Sequence, residues 1–254
     1  HGIRGKASRD DACFVDNLCR MQNIPFHMCS VDVPKYAKKH RLGMEEAARI
    51  LRYQAFLDIA EESVKAGKKA KVALAHHMDD NAETILFQMI RGSGLKGMCG
   101  MQPVRQDEHG ICYIRPMLCV SRSQIEAYLR EKGMEYRTDA TNFELDYSRN
   151  RIRNVILPQL MQLNTQAVPH IGQTAERLQE VWDFLESEVD GKAEHILEKR
   201  EDTVILKADL LEQNASAVAK ELVRRAIFQA AGRQKDITAV HVNDVLALCG
   251  MQSG

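Results

Sequence analysis

The sequence predicts an α/β chain: an open, mostly parallel sheet covered by helices on both faces, followed by a mainly helical second domain. Three observations predict it. Short apolar runs alternate with helical patterns up to about residue 164. The run "VALA" (72–75) leads directly into an amphipathic helical pattern. Beyond residue 164 only "DTVILKADLL" (202–211) reads as strand-like. Strands alternating with helices favour parallel pairing, because each crossover helix must lie on a face of the sheet.

Taken in order, Ser8 to Met21 is helical in pattern, with Ala12, Val15, Leu18 and Cys19 on one face. "IPFHMCSVDV", Ile24 to Val33, reads as a strand. Met44 to Val64 is a longer helix carrying Ala48, Leu51, Ala55 and Ile59 on one side. Val72 to Ala75 is a buried strand. The helix after it, from about Asp79 to Arg91, repeats Ala82, Ile85, Leu86, Met89 and Ile90 at three- and four-residue steps. "GSGLKGMCG" is a glycine-punctuated loop, and Ile111 to Leu118 is another short apolar run. Ser121 to Lys132 is a helix with Ser121 as cap, Gln124 completing a capping box, and Gly133 as its stop. Ile171 to Lys199 is helical and acidic, with an expected interruption near Asp190-Gly191. Ala215 to Ala231 and Val240 to Leu248 are helical again. A boundary is expected within "LNTQAVPHIG", giving domains of residues 1–166 and 167–254.

A chain of 254 residues can bury a sizeable core. With 44% hydrophobic and 28% charged residues it reads as soluble and globular, and no segment approaches the ~18 consecutive apolar residues of a membrane span. The formal net charge is zero, so nucleic-acid binding would need a local basic patch. Seven cysteines never form CxxC, which argues against a zinc ribbon or a thioredoxin-type site. They are expected to be reduced thiols in a cytoplasmic protein, with no metal and no disulfide.

The chemistry-bearing stretch is His76-His77-Met78-Asp79-Asp80, where the buried strand turns into the helix. In open parallel sheets, ligands bind beyond the carboxyl ends of the strands. His76 and Asp80 are four positions apart and Glu83 is three further, which would align them on one helical face. A carboxylate there could hold Mg²⁺ beside substrate phosphates, and a histidine could stabilise phosphate charge or act as an acid or base. Alternatively, Asp79 and Asp80 are acids favoured by the helix dipole. "RGSGLKG" (91–97) follows a helix instead of opening one, so it lacks the logic of a phosphate loop. Arg149, Arg151 and Arg153 alternate, as suits phosphate or RNA recognition or a solvated basic face. Glu45, Arg49 and Arg52 share a helical face, where surface ion pairing is the plainer reading. His195, in the acidic helix, reads as structural.

Six pieces, in order, resemble the tRNA(Ile)-lysidine synthases of the PP-loop ATP pyrophosphatase superfamily. They are "HGIRG" (1–5), "EEAARILRY" (45–53), "ALAHHMDDNAETILFQMIRGSGLKGMCGM" (73–101), "IRPML" (114–118), "DATN" (139–142) and "SRNRIR" (148–153). The resemblance implies a Rossmann-like fold of the adenine-nucleotide alpha-hydrolase type over residues 1–166 and a helical, substrate-binding middle domain over 167–254. It implies that ATP activates the wobble cytidine of tRNA(Ile) with a CAU anticodon as an adenylate, and that free lysine then attacks C2 as AMP leaves. It implies His76 and Asp80 as catalytic residues, His76 and Asp79 beside ATP, and Asp80 on Mg²⁺. Glu83 and Arg52 would lie in the lysine and cytidine pocket. Arg149, Asn150 and Arg153 match an R-N-x-I-R element on RNA or the active-site wall. A homodimer is admitted. The family's SGGxDS nucleotide loop is expected upstream of His1, so the chain without it is not expected to adenylate by itself. Two readings stay beside this one: a 2-thiocytidine synthetase type of PP-loop enzyme, disfavoured by the missing CxxC, and a catalytically inactive RNA-binding module.

Overall fold

Local signals place most helices where the periodicity puts them. The computed structural model describes residues 6–65, 67, 69–107, 110–138, 148–201, 203–232 and 237–250. The motifs "HGIRG" and "DATN" therefore lie outside the described residues. Two compact units form, one from residues 1–87 and 101–169, the other from 88–100 and 170–254.

In the first unit, α1 spans Lys6–Met21, α2 Val33–His40 and α3 Met44–Lys65. The strand expected over Ile24 to Val33 is absent. Pro25 has no N–H for a ladder, and Ile24 and Met28 are exposed. Asp32 instead caps α2, accepting from the Lys35 N–H at 2.9 Å, with Pro34 in the first turn. Strand β1 is Lys71–Ala73, followed by α4 (Met78–Ile90). The glycine-punctuated stretch holds a short helix, α5 (Leu95–Met98), which belongs to the second unit. Strands β2 (Val104–Gln106) and β3 (Cys112–Ile114) form a hairpin. Its turn is fixed by Asp107, whose side chain accepts from the Ile111 N–H at 2.9 Å, and by Gly110 at φ +77°.

The described sheet is ordered β1-β3-β2. β1 runs parallel to β3, pairing Val72 with Tyr113, while β2 is antiparallel to β3. The sheet is thus mixed where the sequence suggested mostly parallel strands, because the 107–111 turn reverses the chain between two neighbours. Tyr113, 1% exposed, packs with Ala60, Leu74 and Ile111 under Tyr53, Phe56 and Leu57 of α3. A second cluster of Val33, Ala37 and Ala47 joins α2 to α3. After β3 comes α6 (Arg122–Glu131), with the expected capping box between Ser121 and Gln124, and Gly133 at φ +62° past its end.

The last helical stretch of this unit is interrupted. α7 (Ser148–Arg151) passes into a π-helical turn over Ile152–Ile156 before α8 (Leu157–Leu163). Pro158 lacks the N–H that an α-helix would direct to Asn154, and its ring would crowd that carbonyl. The wider turn, in which the Leu157 N–H reaches the Ile152 carbonyl, accommodates it.

The second unit is built on α9 (Ala167–Ile196), which runs unbroken through Asp190 and Gly191. The expected interruption fails because Val189 and Ile196 are anchored in the core and Asp190 pairs with Arg225 at 2.5 Å. Such packing outweighs the ~1 kcal/mol helix cost of one glycine. A hairpin of β4 (Leu197–Arg200) and β5 (Thr203–Leu206) follows, then α10 (Ala208–Glu212), α11 (Ser216–Ala231) and α12 (Ala239–Cys249). Leu211, Leu222, Val223 and Val242 fill the centre. No helix among the described residues is long and apolar enough to cross a membrane.

Candidate functional site

Because β1 and β3 are parallel, their carboxyl ends lie at the same edge of the sheet. The Leu74 N–H extends the pairing to the Ile114 carbonyl at 2.8 Å. His76 and His77 follow β1, and Arg115 follows β3. Two helix N-termini converge here as well. The Met78 N–H donates to the Val120 carbonyl at 2.9 Å, and the Asp79 Oδ2 accepts from the Arg122 N–H at 2.8 Å. Asp79, in the first turn of α4, thus also caps α6.

His77 is the N-cap of α4. Its N–H donates to Asp80 Oδ2 at 3.0 Å, and the Asp80 N–H points back at His77 Nδ1 at 3.4 Å. This is a capping box in which an imidazole replaces the usual hydroxyl. The ring also lies against both carboxylates, Nδ1 3.5 Å from Asp79 and Nε2 3.3 Å from Asp80, so the protonated ring donates from Nδ1 to Asp79 in place of accepting the long Asp80 N–H contact. Hydrogen bonding to Asp79 raises the His77 pKa above the ordinary histidine value, against the opposing effect of burial. Burial pushes the Asp79 carboxyl up, but the bonds from His77 and the Arg122 N–H outweigh it and leave Asp79 below its usual value.

One turn along α4, Glu83 is buried at 3% exposure and held by Arg153 of the π turn. Arg153 donates from Nε to Oε1 at 2.7 Å and from a terminal nitrogen to Oε2 at 2.8 Å. The same terminal nitrogen reaches Asp80 Oδ1 at 2.8 Å. Asp80 and Glu83, three apart on the helix, present one acidic edge that a single guanidinium clamps. Burial raises the Glu83 pKa while Arg153 opposes the rise. A cavity of about 300 Å³ borders this clamp, lined by Asp79, Glu83, Arg122, Arg153 and Leu157 among others.

His76 faces the cationic side. Its Nδ1 accepts from Arg115 Nε at 3.3 Å, while Arg115 also donates to the Gln102 carbonyl at 2.5 Å. Burial pushes the His76 imidazole below the ordinary histidine value; Asp80 opposes this, and Arg115, Arg49 and Arg149 add to it. Four charged residues from different elements therefore act on one ring. Next to them, a cleft of about 590 Å³ is lined by Arg49, Tyr53, Gln54, Arg105 and Tyr113, among others. Arg49 stands 5.2 Å from the Tyr53 ring centre and Arg105 5.2 Å from that of Tyr113.

The structure brings Asp80, Glu83 and Arg153 into direct contact and places His76 and Arg149 within electrostatic reach of one another. The helical alignment expected from His76 does not apply, since α4 starts at Met78. Arg149 pairs with Glu45 at 3.6 Å and lies over Phe87. Asn150 is half-buried on α7 beside it. Arg52 is exposed on α3 and is not among the residues lining either cavity. Arg115 carried no role in the sequence reading, although "IRPML" marked its segment. An arginine inside the short apolar run Ile111 to Leu118 was the available signal.

Parallel strand ends, converging helix N-termini and a cationic rim around His76 define an α/β domain suited to phosphate-bearing ligands. The chain belongs to the PP-loop domain family, whose model matches residues 1–160. It is similar to the tRNA(Ile)-lysidine synthase of Caldanaerobacter subterraneus subsp. tengcongensis, 35% identical over 98% of this chain and 51% of that protein. It is likewise similar to those of Geobacillus kaustophilus (36%, over 100% of this chain and 54% of that protein) and Geobacter sulfurreducens (36%, over 100% and 53%). The chain spans about half the length of these curated relatives.

Proposed function

We propose that this protein is a tRNA(Ile)-lysidine synthase, an AMP-forming ligase that makes a carbon–nitrogen bond. In this reading ATP adenylates the wobble cytidine of tRNA(Ile) with a CAU anticodon, releasing pyrophosphate. An amine of free lysine then attacks C2 and AMP leaves. The product reads AUA in place of AUG. The observation that carries the reading is the pairing of a cationic edge, His76 with Arg115, and an acidic edge, Asp80 and Glu83 under Arg153, at the carboxyl ends of β1 and β3. It does so in a chain similar over nearly its whole length to lysidine synthases.

The residues support separate roles. His76, Arg115 and Arg49 suit the phosphates of ATP, with cations offsetting charge as the leaving group departs, while Arg149 suits the RNA. Asp80 and Glu83 suit the cationic or amine partner, with Arg153 keeping them in place. Glu83 is the lysine-side residue of this reading; Arg52, exposed on α3, would join it only through the cytidine. Asn150 belongs to the active-site wall, and Asp79 acts beside ATP through the α4–α6 tie. Mg²⁺ arriving with ATP would supply charge neutralisation at the phosphates. The residues present do not make a resident Mg²⁺ cage: both Asp80 oxygens already accept hydrogen bonds, and no group of three or more His, Cys, Asp or Glu among the described residues could hold a metal.

The same reading takes residues 1–166 as the catalytic domain, on a mostly parallel Rossmann-like sheet of which β1–β3 is the supporting pair, and 167–254 as the substrate-binding domain. It places the protein in the cytoplasm, and a homodimer is the assembly to check by sedimentation. The test is direct. A version carrying the family's SGGxDS loop upstream of His1 is incubated with ATP, lysine and a tRNA(Ile) transcript bearing CAU, and the nucleosides are weighed. Lysidine at the wobble position is expected. A product carrying sulfur, or unchanged cytidine beside a tightly bound transcript, would overturn the reading in favour of thiolation or of an inactive RNA-binding module.

A further inference from the structure

The geometry points to Arg115 as a positioning residue that fixes the tautomer of His76, so that Nδ1 is the acceptor and Nε2–H is the donor offered to the ligand. The inference rests on the proposed phosphate role of His76 and deepens it.

A neutral imidazole carries one N–H, and which nitrogen holds it is set by the partner of the other. Here the partner is a guanidinium, which donates and never accepts. Arg115 Nε lies 3.3 Å from His76 Nδ1, so Nδ1 must present its lone pair and the proton must sit on Nε2. Arg115 is itself fixed. It is buried at 9% exposure, its terminal nitrogen donates to the Gln102 carbonyl, and its backbone N–H donates to the Pro103 carbonyl at 2.8 Å. The side chain therefore cannot swing away without also losing its bond to the Gln102 carbonyl, and the backbone bond fixes the Cα it springs from. Nε2 lies across the ring from Nδ1, so its N–H is directed away from Arg115.

The charges that face His76 come from four elements: Asp80 on α4, Arg115 after β3, Arg49 on α3 and Arg149 on α7. Three are cations, which favours the neutral ring over the imidazolium. A neutral Nε2–H donor suits a phosphate oxygen without carrying a titrating charge. His77, one residue away, has the opposite surroundings, with two carboxylates against its ring. The adjacent histidines are thus set to different tasks by different neighbours.

The tautomer can be read without any assay of turnover. The 254-residue chain is labelled with ¹⁵N, and long-range ¹H–¹⁵N spectra are recorded at about pH 8, above the ordinary histidine range. His76→Gln identifies the His76 signals by their loss. The expected wild-type pattern is a protonated Nε2 and an unprotonated Nδ1. Arg115→Met should shift His76 to a mixture of tautomers, while Arg115→Lys, which keeps a donor, should restore part of the Nε2–H pattern. A wild-type Nδ1–H tautomer would overturn the inference outright, whether or not any variant folds. An unchanged pattern in a folded Arg115→Met would overturn it as well. Since no substrate is added, either result stands apart from whether the protein makes lysidine.

Discussion

Arg153 holds both carboxylate oxygens of Glu83 from 70 residues away, and the same guanidinium nitrogen bridges to Asp80. The pair is an internal clamp. Removing Arg153 leaves a carboxylate at 3% exposure with its charge uncompensated. Breaking a buried pair in this one-sided way costs roughly 3–5 kcal/mol. Arg153→Met should therefore lower the urea midpoint strongly, and the double variant with Glu83→Gln should recover much of the loss. The check is equilibrium denaturation of the single and double variants.

Arg153 is thus occupied by carboxylates, which leaves Arg149 as the arginine of its segment better placed for RNA. Arg149 makes a long, exposed contact with Glu45 and lies over Phe87. Arg149→Ala should weaken tRNA binding with little effect on stability, and flatten the salt dependence of binding by about one phosphate contact. Filter binding at two salt concentrations measures both.

The Asp79 link to the Arg122 N–H ties two helix starts together. Loss of a helix-capping side chain costs about 1 kcal/mol. Asp79→Ala should lower stability by roughly that amount, and Asp79→Asn by less, since the amide oxygen still accepts. Asp79 titrates below its usual value in the fold. Its contribution is present above the unfolded pKa and is lost as pH falls through the folded one. Thermal melts across the acid range should show a shallower acid decline in Asp79→Ala than in wild type.

His77 acts in the opposite direction. Its folded pKa is raised by the Asp79 bond. The stabilisation is fully present below the unfolded value of about 6.5 and is lost as pH rises through the folded value. His77→Asn keeps a helix-capping side chain but cannot titrate. Its melting temperature should lack the alkaline-going decrease that wild type shows from about pH 6.5 upward.

What the sequence disclosed was local. Ser121 and Gln124 are three residues apart and announced the start of α6; the repeat of Ala82, Ile85 and Met89 announced α4. The segment from Ile24 misled because composition resembled a strand while Pro25 and the Asp32 cap, also local, pointed elsewhere. Gly191 misled because helix propensity is a weak prior against a packed core. The site was half legible. The motif around His76 and Asp80 identified the strand end, but no pattern within a few residues could show Arg115 meeting His76 across 39 positions or Arg153 meeting Glu83 across 70. The π turn that aims Arg153 depended on Pro158, whose effect reaches back one turn and not forward.

The most direct measurement uses a version carrying the SGGxDS loop upstream of His1 and compares it with its Asp80→Asn variant in ATP-, lysine- and tRNA-dependent AMP release, alongside tRNA affinity. The amide can still accept from the His77 N–H, so the start of α4 is kept. What is lost is the negative charge between His77 and Arg153. Losing one preorganised electrostatic group in such a site is worth on the order of 10²-fold in turnover. The account predicts a fall of at least that order with tRNA affinity largely intact. Near-normal turnover, or affinity lost as badly as turnover, would contradict it and leave Asp80 as a helix-capping acid alone.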